Sequence, residues 1–137
     1  MRANRSMPKC TVIPELAYSD IGAAAQWLCA AFGFDVRLCI GNHRIQLNVG
    51  DGAVVLIEQH GKAVDERTHA VMVRVEDAER HHENAKARGA KVLRPLADYP
   101  YGERQYTAQD PAGHVWTFSE SIADVQPEAW GGRSVRL

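Results

Sequence analysis

The sequence lacks the features that mark secreted, membrane-spanning and nucleic-acid-binding proteins. Its three cysteines, Cys10, Cys29 and Cys39, form neither an even set nor a close pair, which argues against a disulfide scaffold and a structural zinc motif. The formal net charge is −1, so we expect no contact with nucleic acid or an anionic membrane. No apolar run could span a bilayer, and the basic start at Met1–Lys9 is followed by no apolar signal core. We therefore expect a soluble, cytoplasmic protein.

Common catalytic motifs are also missing. No nucleophile elbow, phosphate loop or dinucleotide fingerprint occurs, and Gly50-Asp-Gly52 is typical of a hairpin turn. His81 and His82 are adjacent, so on a helix they point in different directions and cannot share one metal ion. We interpret both as part of a solvated helix face, and we expect His114, which follows a turn glycine, to be exposed.

What the sequence does contain is an internal repeat. A strand, a capping aspartate, a helix and a stop glycine follow one another in residues 11–33 and again in residues 68–89. The predicted helices are 21–32 and 78–88. Three strand-like segments follow each helix. They are 36–39, 44–49 and 54–58 in the first half, and 91–93, 104–107 and 115–119 in the second.

The repeat predicts an α+β fold of two tandem β-α-β-β-β modules. The predicted boundaries are module one at 10–60, a linker at 61–67, module two at 68–121 and a C-terminal tail at 122–137, all within a single domain of residues 1–137. Each helix covers one face of a small sheet, so the other face must meet its sister module or another chain. A ferredoxin-like α+β sandwich without a cleft is the alternative, and the matched hairpins at Gly52 and Gly113 count against it.

One segment carries a family resemblance. The stretch Tyr101–Glu120 predicts two strands around a tight turn, in which Pro111 presets φ, Asp110 accepts hydrogen bonds and Gly113 closes the turn. It resembles the last hairpin of the vicinal-oxygen-chelate superfamily, which includes glyoxalases, ring-cleaving dioxygenases, fosfomycin-resistance enzymes and bleomycin-binding proteins. The resemblance extends over residues 10–121. It implies a curved mixed sheet around a concave ligand cleft, and chains that pair as homodimers.

The resemblance also implies where a metal would bind. Catalytic members carry a metal-binding glutamate four residues after the turn glycine, and this chain has Thr117 there. The equivalent places in the other strands are Ile13, Leu56 and Ala70. Three of these four side chains are aliphatic, and a neutral threonine hydroxyl binds divalent cations weakly. We therefore expect no metal and no other cofactor, as in the metal-free branch of the family.

Alternation along the strands predicts which residues face the cleft. The apolar stripe of Val71, Val73 and Val75 belongs against the helix, which turns the alternate residues inward. Matching Gly52 to Gly113 turns Val54, Leu56 and Glu58 inward as well. A polar floor under an aromatic rim is common in binding clefts. The predicted ligand-binding residues are Glu15, Glu58, Met72, Arg74, Tyr99, Tyr101, Tyr106, Thr117 and Ser119, and no residue is predicted to be catalytic.

The expected function is binding without chemistry. The ligand would be an aromatic or peptide-like molecule, an antibiotic or secondary metabolite, and its sequestration would confer resistance. Two alternatives stay open. One is a glyoxalase-like lyase, isomerase or dioxygenase acting on a small carbonyl or aromatic substrate, with Glu15 or Glu58 as the base if no Lewis acid is held. The other is a partner-binding protein without a small ligand, because such scaffolds host many functions.

Overall fold

The computed structural model describes residues 2–59, 69–134 and 136. The predicted linker at 61–67 lies outside the described residues. In the described part of the chain, no helix is long and apolar enough to cross a membrane.

Both halves of the chain have the same order of elements, β-α-β-β-β. The first module contains β1 (Glu15–Tyr18), α1 (Ile21–Phe32), β2 (Asp35–Ile40), β3 (Arg44–Val49) and β4 (Gly52–Glu58). The second contains β5 (Val71–Arg74), α2 (Ala78–Ala87), β6 (Lys91–Tyr99), β7 (Glu103–Gln109) and β8 (Val115–Ser121). A short 3₁₀ helix, Pro127–Trp130, lies in the tail. The tandem modules and both predicted helices are confirmed.

The helix boundaries follow from the residues that prompted their prediction. Asp20 and Asp77 have extended backbones, and each side chain accepts a hydrogen bond of 3.0 Å from the backbone N–H three residues later. These bonds satisfy donors that have no partner within the first helical turn. Gly33 ends α1 with φ of 79°, in the left-handed region where glycine has no Cβ penalty.

Each module forms its own four-stranded mixed sheet. The strand orders are β1-β4-β3-β2 and β5-β8-β7-β6. The first strand of each module pairs in parallel with the last, and the remaining pairs are antiparallel. The parallel pair is possible because the helix supplies the crossover connection. This topology confirms the predicted α+β class.

The two modules pack through the sides of their sheets that carry the helices. Phe32, at the end of α1, lies 4.7 Å from Phe118 and 5.7 Å from Trp116 between ring centroids, so an aromatic ring of the first module contacts two of the second. Leu28 and Leu56 of the first module belong to the same buried cluster. We call the face of each sheet that points away from its helix the open face. Both open faces lie on the outer sides of the shared core.

The two helices contact each other through a pair of hydrogen bonds that occupy equivalent positions in the two modules. Trp27 Nε1 donates to the carbonyl of Arg88 over 2.9 Å, and Asn84 Nδ2 donates to the carbonyl of Ala31 over 3.0 Å. The donors occupy equivalent places after the capping aspartates, and so do the acceptors. Each helix therefore satisfies a terminal carbonyl of the other, which fixes their relative position.

A buried carboxylate joins the modules at a second point. Asp110 accepts hydrogen bonds from the Tyr18 hydroxyl (2.6 Å), from Trp116 Nε1 (3.1 Å) and from the backbone N–H of His114 (2.9 Å). The His114 ring is itself buried, and its Nε2 lies 2.7 Å from the carbonyl of Ala17. The expectation that His114 is exposed is therefore wrong, because the turn folds back onto β1.

His81 is likewise packed rather than solvated, contrary to the sequence interpretation. Its Nδ1 is hydrogen-bonded to the Tyr106 hydroxyl, and its Nε2 lies 3.0 Å from the carbonyl of Phe32. The ring centroid is 4.2 Å from that of Phe118. Burial lowers the pKa of His81 below its ordinary value, and the hydrogen bond to Phe32 opposes this only in part. Burial therefore favours the neutral form of the His81 imidazole in the folded protein.

The lowered pKa of His81 predicts a loss of stability in acid. As the pH falls from 7.5 to 5.5, the unfolded chain binds a proton at this residue more readily than the folded chain, so the free energy of unfolding decreases. Urea denaturation at both pH values should show a smaller decrease for His81→Gln than for the wild type. His43→Gln, at an exposed position, is the control and should behave as the wild type. Equal decreases in all three proteins would contradict this assignment.

Candidate functional site

The open face of the second module carries most of the predicted ligand-binding residues. In the sheet register Met72 lies opposite Thr117, and Arg74 lies opposite Ser119. The alternate residues of these strands face the helix, where Phe118 is fully buried. The predicted orientations of β5 and β8 are therefore confirmed. The valine stripe of β5 was the signal that fixed them.

A chain of hydrogen bonds forms the floor of this face. The Tyr101 hydroxyl donates to Gln105 Oε1 over 2.9 Å, and Gln105 Nε2 donates to Ser119 Oγ over 2.9 Å. Ser119 Oγ in turn donates to Glu103 Oε1 over 2.7 Å. Gln105 and Ser119 are buried, so each side chain is held in one orientation. Because each donor has one acceptor, the floor is ordered before any ligand arrives.

Two of these floor residues, Glu103 and Gln105, are absent from the sequence prediction. They alternate along β7 with Tyr106 and Ala108, which are buried on the helix side. Alternation along β7, the same signal that orients β5, places both residues on the open face. Thr107, on the same face, is hydrogen-bonded to Thr117 over 2.8 Å.

Two of the predicted residues on this face are open to solvent. Met72 keeps 63% of its surface exposed. Arg74 is also exposed, and its Nη2 donates to Ser121 Oγ over 3.2 Å. Within the described residues Arg74 forms no salt bridge, since the arginine pairs found are Arg44 with Glu15 and Arg104 with Asp98. A guanidinium in this state can still donate to a ligand.

Aromatic rings border the floor on one side. Tyr99 and Tyr101 are stacked, with centroids 5.4 Å apart and planes 13° from parallel. Trp130 of the tail meets Tyr101 edge-on at 5.4 Å. Arg94 lies over the Tyr99 ring and donates to its hydroxyl over 2.8 Å. Tyr99 and Tyr101 therefore lie beside the polar floor described above, while Trp130 has no signal in the sequence that links it to them.

A groove of about 550 Å³ opens where this border meets the tail. Tyr101, Glu103 and Ser121 line it together with residues 122–125 of the tail. Gly102 holds the tail there, because its carbonyl accepts from the backbone N–H of Ile122 over 2.8 Å. A Cβ at position 102 would lie 2.2 Å from the carbonyl oxygen of Ala123, so only glycine permits this contact.

Tyr106 does not lie at the rim, and its predicted place there is wrong. It pairs with Phe118 in the antiparallel register and faces the helix, with 1% of its surface exposed. Its hydroxyl is hydrogen-bonded to His81, so the polar end of the ring is satisfied inside the core. Burial also raises the pKa of Tyr106 far above its ordinary value.

The prediction that Glu58, Val54 and Leu56 face the cleft is also wrong. Leu56 lies opposite Leu16, and Glu58 opposite Tyr18, on the helix side of the first sheet. The cause is the match of Gly52 to Gly113. Gly52 is a paired strand residue after a two-residue turn, whereas Gly113 lies inside a longer turn, and equating them shifts β4 by one residue. Such a shift exchanges the two faces of a strand.

Glu15 lies on the open face predicted for it, but on the first module. Its carboxylate forms a 2.8 Å salt bridge with Arg44. Arg74 belongs to the other sheet, and the open faces of the two sheets lie on opposite sides of the core. One chain therefore does not bring Glu15, Glu58 and Arg74 together.

The four places that hold a metal in catalytic relatives carry no suitable donors. The corrected register puts Val55 in the β4 place, since Val55 pairs with Glu15 as Thr117 pairs with Met72. The set becomes Ile13, Val55, Ala70 and Thr117. In the described part of the chain, no group of three or more His, Cys, Asp or Glu residues could hold a metal ion. The residues present do not fit a divalent cation.

Comparisons with known proteins agree with this geometry. A family model described as the Glyoxalase/Bleomycin resistance protein/Dioxygenase superfamily matches residues 11–118. TioX from Micromonospora sp. ML1 is 31% identical with a TM-score of 0.67, and the match covers 80% of this chain and 97% of TioX. A search of curated proteins finds no match.

Two more distant structures show the fold alone. A glyoxalase/bleomycin resistance protein/dioxygenase family enzyme from Burkholderia phytofirmans PsJN is 14% identical, with a TM-score of 0.68 over 80% of this chain and 97% of that one. Lactoylglutathione lyase from Agrobacterium tumefaciens is 17% identical, with a TM-score of 0.64 over 90% and 98%. The family model spans most of the chain, and the resemblance seen in the sequence is confirmed. The chain belongs to the Glyoxalase/Bleomycin resistance protein/Dioxygenase superfamily.

Proposed function

We propose that this protein binds an aromatic or peptide-like small molecule, an antibiotic or secondary metabolite, on the open face of the second module and releases it unchanged. The observation that carries the proposal is the combination on that face of an ordered polar floor, a stacked tyrosine pair and an exposed arginine, Arg74, that forms no salt bridge with the described carboxylates. Aromatic ligand groups can pack against the edge of the Tyr99–Tyr101 pair, while Arg74 and Gln105 supply directional hydrogen bonds. Sequestration of this kind would protect a cell from the bound compound.

We further propose that the working form is a homodimer. The open faces lie on opposite sides of the shared core. In a single chain, a ligand bound to one open face would therefore contact that sheet on one side and solvent on the other. A second copy can place an open face opposite that sheet and enclose the ligand from both sides. Enclosure would cover Met72, whose exposure is high for a methionine.

An enzyme remains the second candidate, with Glu103 as its supporting observation. Its carboxylate lies on the floor, accepts a hydrogen bond from Ser119 and lines the groove beside Tyr101. A carboxylate in this position can act as a general base toward a bound carbonyl compound. Glu58 loses this role because it faces the helix side, and Glu15 is paired with Arg44. Mass spectrometry of the ligand after incubation separates this candidate from a binding protein.

The Arg74→Ala variant tests the proposed site. Loss of a charged hydrogen bond to the ligand, worth about 1.5–3 kcal/mol, should weaken binding about tenfold or more. A thermal-shift screen with aromatic and peptide antibiotics, bleomycin among them, would supply the ligand, and isothermal titration would measure its affinity. Arg104→Ala is the matched control, because Arg104 alternates with Glu103 along β7 and pairs with Asp98. Equal affinities for both variants and the wild type would contradict the proposal that Arg74 contacts the ligand.

Purification without added metal should yield protein free of transition metal. The donor set of three aliphatic side chains and Thr117 is the reason. Elemental analysis by mass spectrometry is the measurement, and ligand binding should be unchanged by a chelator. Zinc, nickel, manganese or iron near one equivalent per chain would overturn both the register and the choice of binding over catalysis.

Sedimentation equilibrium tests the homodimer directly. At a concentration of about 50 μM the mass should be that of two chains, because burial of exposed apolar side chains such as Met72 favours association. Met72→Glu should shift the equilibrium toward the monomer, and Val12→Glu, at an exposed position before β1, should not. A wild-type monomer at this concentration would refute the proposal.

A further inference from the structure

An N-terminal segment lies on the open face of the first module. Three successive backbone carbonyls, those of residues 5, 6 and 7, are held by two side chains of the sheet. Arg37 Nη2 donates to the carbonyls of Arg5 and Met7, each over 3.0 Å. Gln46 Nε2 donates to the carbonyl of Ser6 over 2.9 Å. We call residues 5–8 the arm.

The two side chains that hold the arm act as one unit. Arg37 Nη1 donates to Gln46 Oε1 over 2.6 Å, which orients the amide so that its N–H faces Ser6. Arg37 reaches this position because β2 is irregular there: Val36 lies opposite Leu47 and Leu38 opposite Gln46, so Arg37 is the additional residue. A bulge of this kind redirects a side chain out of the regular alternation. We call Arg37 and Gln46 the carbonyl clamp.

The residues of the open face beside the arm are buried. Gln46 and Val55 are paired on that face, and each keeps only 3% of its surface exposed. Ala53 on the same face is 6% exposed, and Pro8 of the arm is buried. The helix covers the other side of the sheet, and on this side the arm is hydrogen-bonded to Arg37 and Gln46.

The carbonyl clamp contacts the backbone of the arm, and no hydrogen bond to an arm side chain is found among the described residues. All three acceptors on the arm are carbonyl oxygens, and the side chains of Arg5, Ser6 and Met7 are exposed. Asn4 helps to shape the segment, since its side chain accepts from the N–H of Ser6 over 3.0 Å and its carbonyl from the N–H of Met7 over 3.1 Å. Any chain that presents three amide carbonyls in this arrangement meets the same donors.

We propose that the carbonyl clamp is a recognition site for peptide-like ligands, which the arm occupies until such a ligand displaces it. The inference rests on the proposed function and narrows its ligand class to molecules with consecutive amide carbonyls. Arg37 has no carboxylate partner among the described salt bridges, so its charge is available to these oxygens.

The first experiment measures whether the clamp holds the arm in the full chain. Trypsin cleaves after Arg5 only when the surrounding backbone can leave the sheet. Cleavage after Arg5, followed by intact mass, should be at least about tenfold faster in Arg37→Ala than in the wild type, since release of the arm raises the accessible population. Arg94→Ala, on the other module, is the control and should cleave at the wild-type rate. Equal rates in Arg37→Ala and the wild type would overturn the clamp.

The second experiment measures recognition of another peptide. The probe is acetyl-Gly-Ser-Met-Pro-amide, which keeps the three carbonyls and has no trypsin site. Added to the wild-type chain at up to about 10 mM, it should shift the side-chain N–H signals of Arg37 and Gln46 and accelerate cleavage after Arg5. Gln46→Ala should weaken its binding about tenfold. No shift of these signals, or equal binding by Gln46→Ala, would show that the clamp serves the arm alone and would refute the proposal.

The outcomes for the two modules are separable. If a ligand from the antibiotic screen depends on Arg74 but the probe does not bind at Arg37, the proposed function stands and the clamp inference fails. If the probe binds at Arg37 and no antibiotic binds at Arg74, the clamp stands on the peptide data and the proposed function fails.

Discussion

The contact of Phe32 with Phe118 and Trp116 is the packing constraint on which the rest of the structure depends. It places an aromatic residue from the end of α1 into the helix side of the second sheet. The two modules therefore share one core, and neither has to bury its helix face alone. The carbonyl bonds of Trp27 and Asn84 and the buried Asp110 fix the same interface with directional contacts. A consequence for function is that both open faces are turned outward.

The open faces differ in chemistry. The second module has a floor of paired amide, hydroxyl and carboxylate groups beside stacked tyrosines. The first has a guanidinium and an amide that are already engaged by backbone carbonyls of the arm. Among the described residues, neither face has the donor set of a metal site. The described groups of both faces therefore offer hydrogen bonds and aromatic surface rather than metal coordination.

The sequence was most informative where one residue type has a single structural use. Asp20, Gly33 and the valine stripe of β5 predicted a helix with both of its ends and the orientation of a strand, because caps and alternation follow directly from backbone geometry. Gly52 misled for the opposite reason. Glycine occurs both in turns and at the start of strands, and a one-residue error there put Glu58 on the wrong face.

The remaining misses concern contacts that no local pattern encodes. Tyrosine suits both a binding site and a core, and no local pattern distinguishes the two for Tyr106. Its partner His81 lies on a helix of the same module, whose orientation depends on packing against α1. Trp130 reaches Tyr101 from a tail without periodicity. Arg37 is aimed by a bulge, which interrupts the alternation used for prediction.

The central claim is that a ligand is held on the open face of the second module and leaves it unchanged. Two-dimensional ¹H–¹⁵N spectra of the labelled chain, titrated with a compound from the antibiotic screen and followed by mass analysis of that compound, test it most directly. The account predicts saturable shifts of the Gln105 side-chain amide and of the backbone signals of Met72, Thr117 and Ser119, with the mass of the compound unaltered. Shifts confined to the helix side of the sheet, or a compound of changed mass, would contradict it.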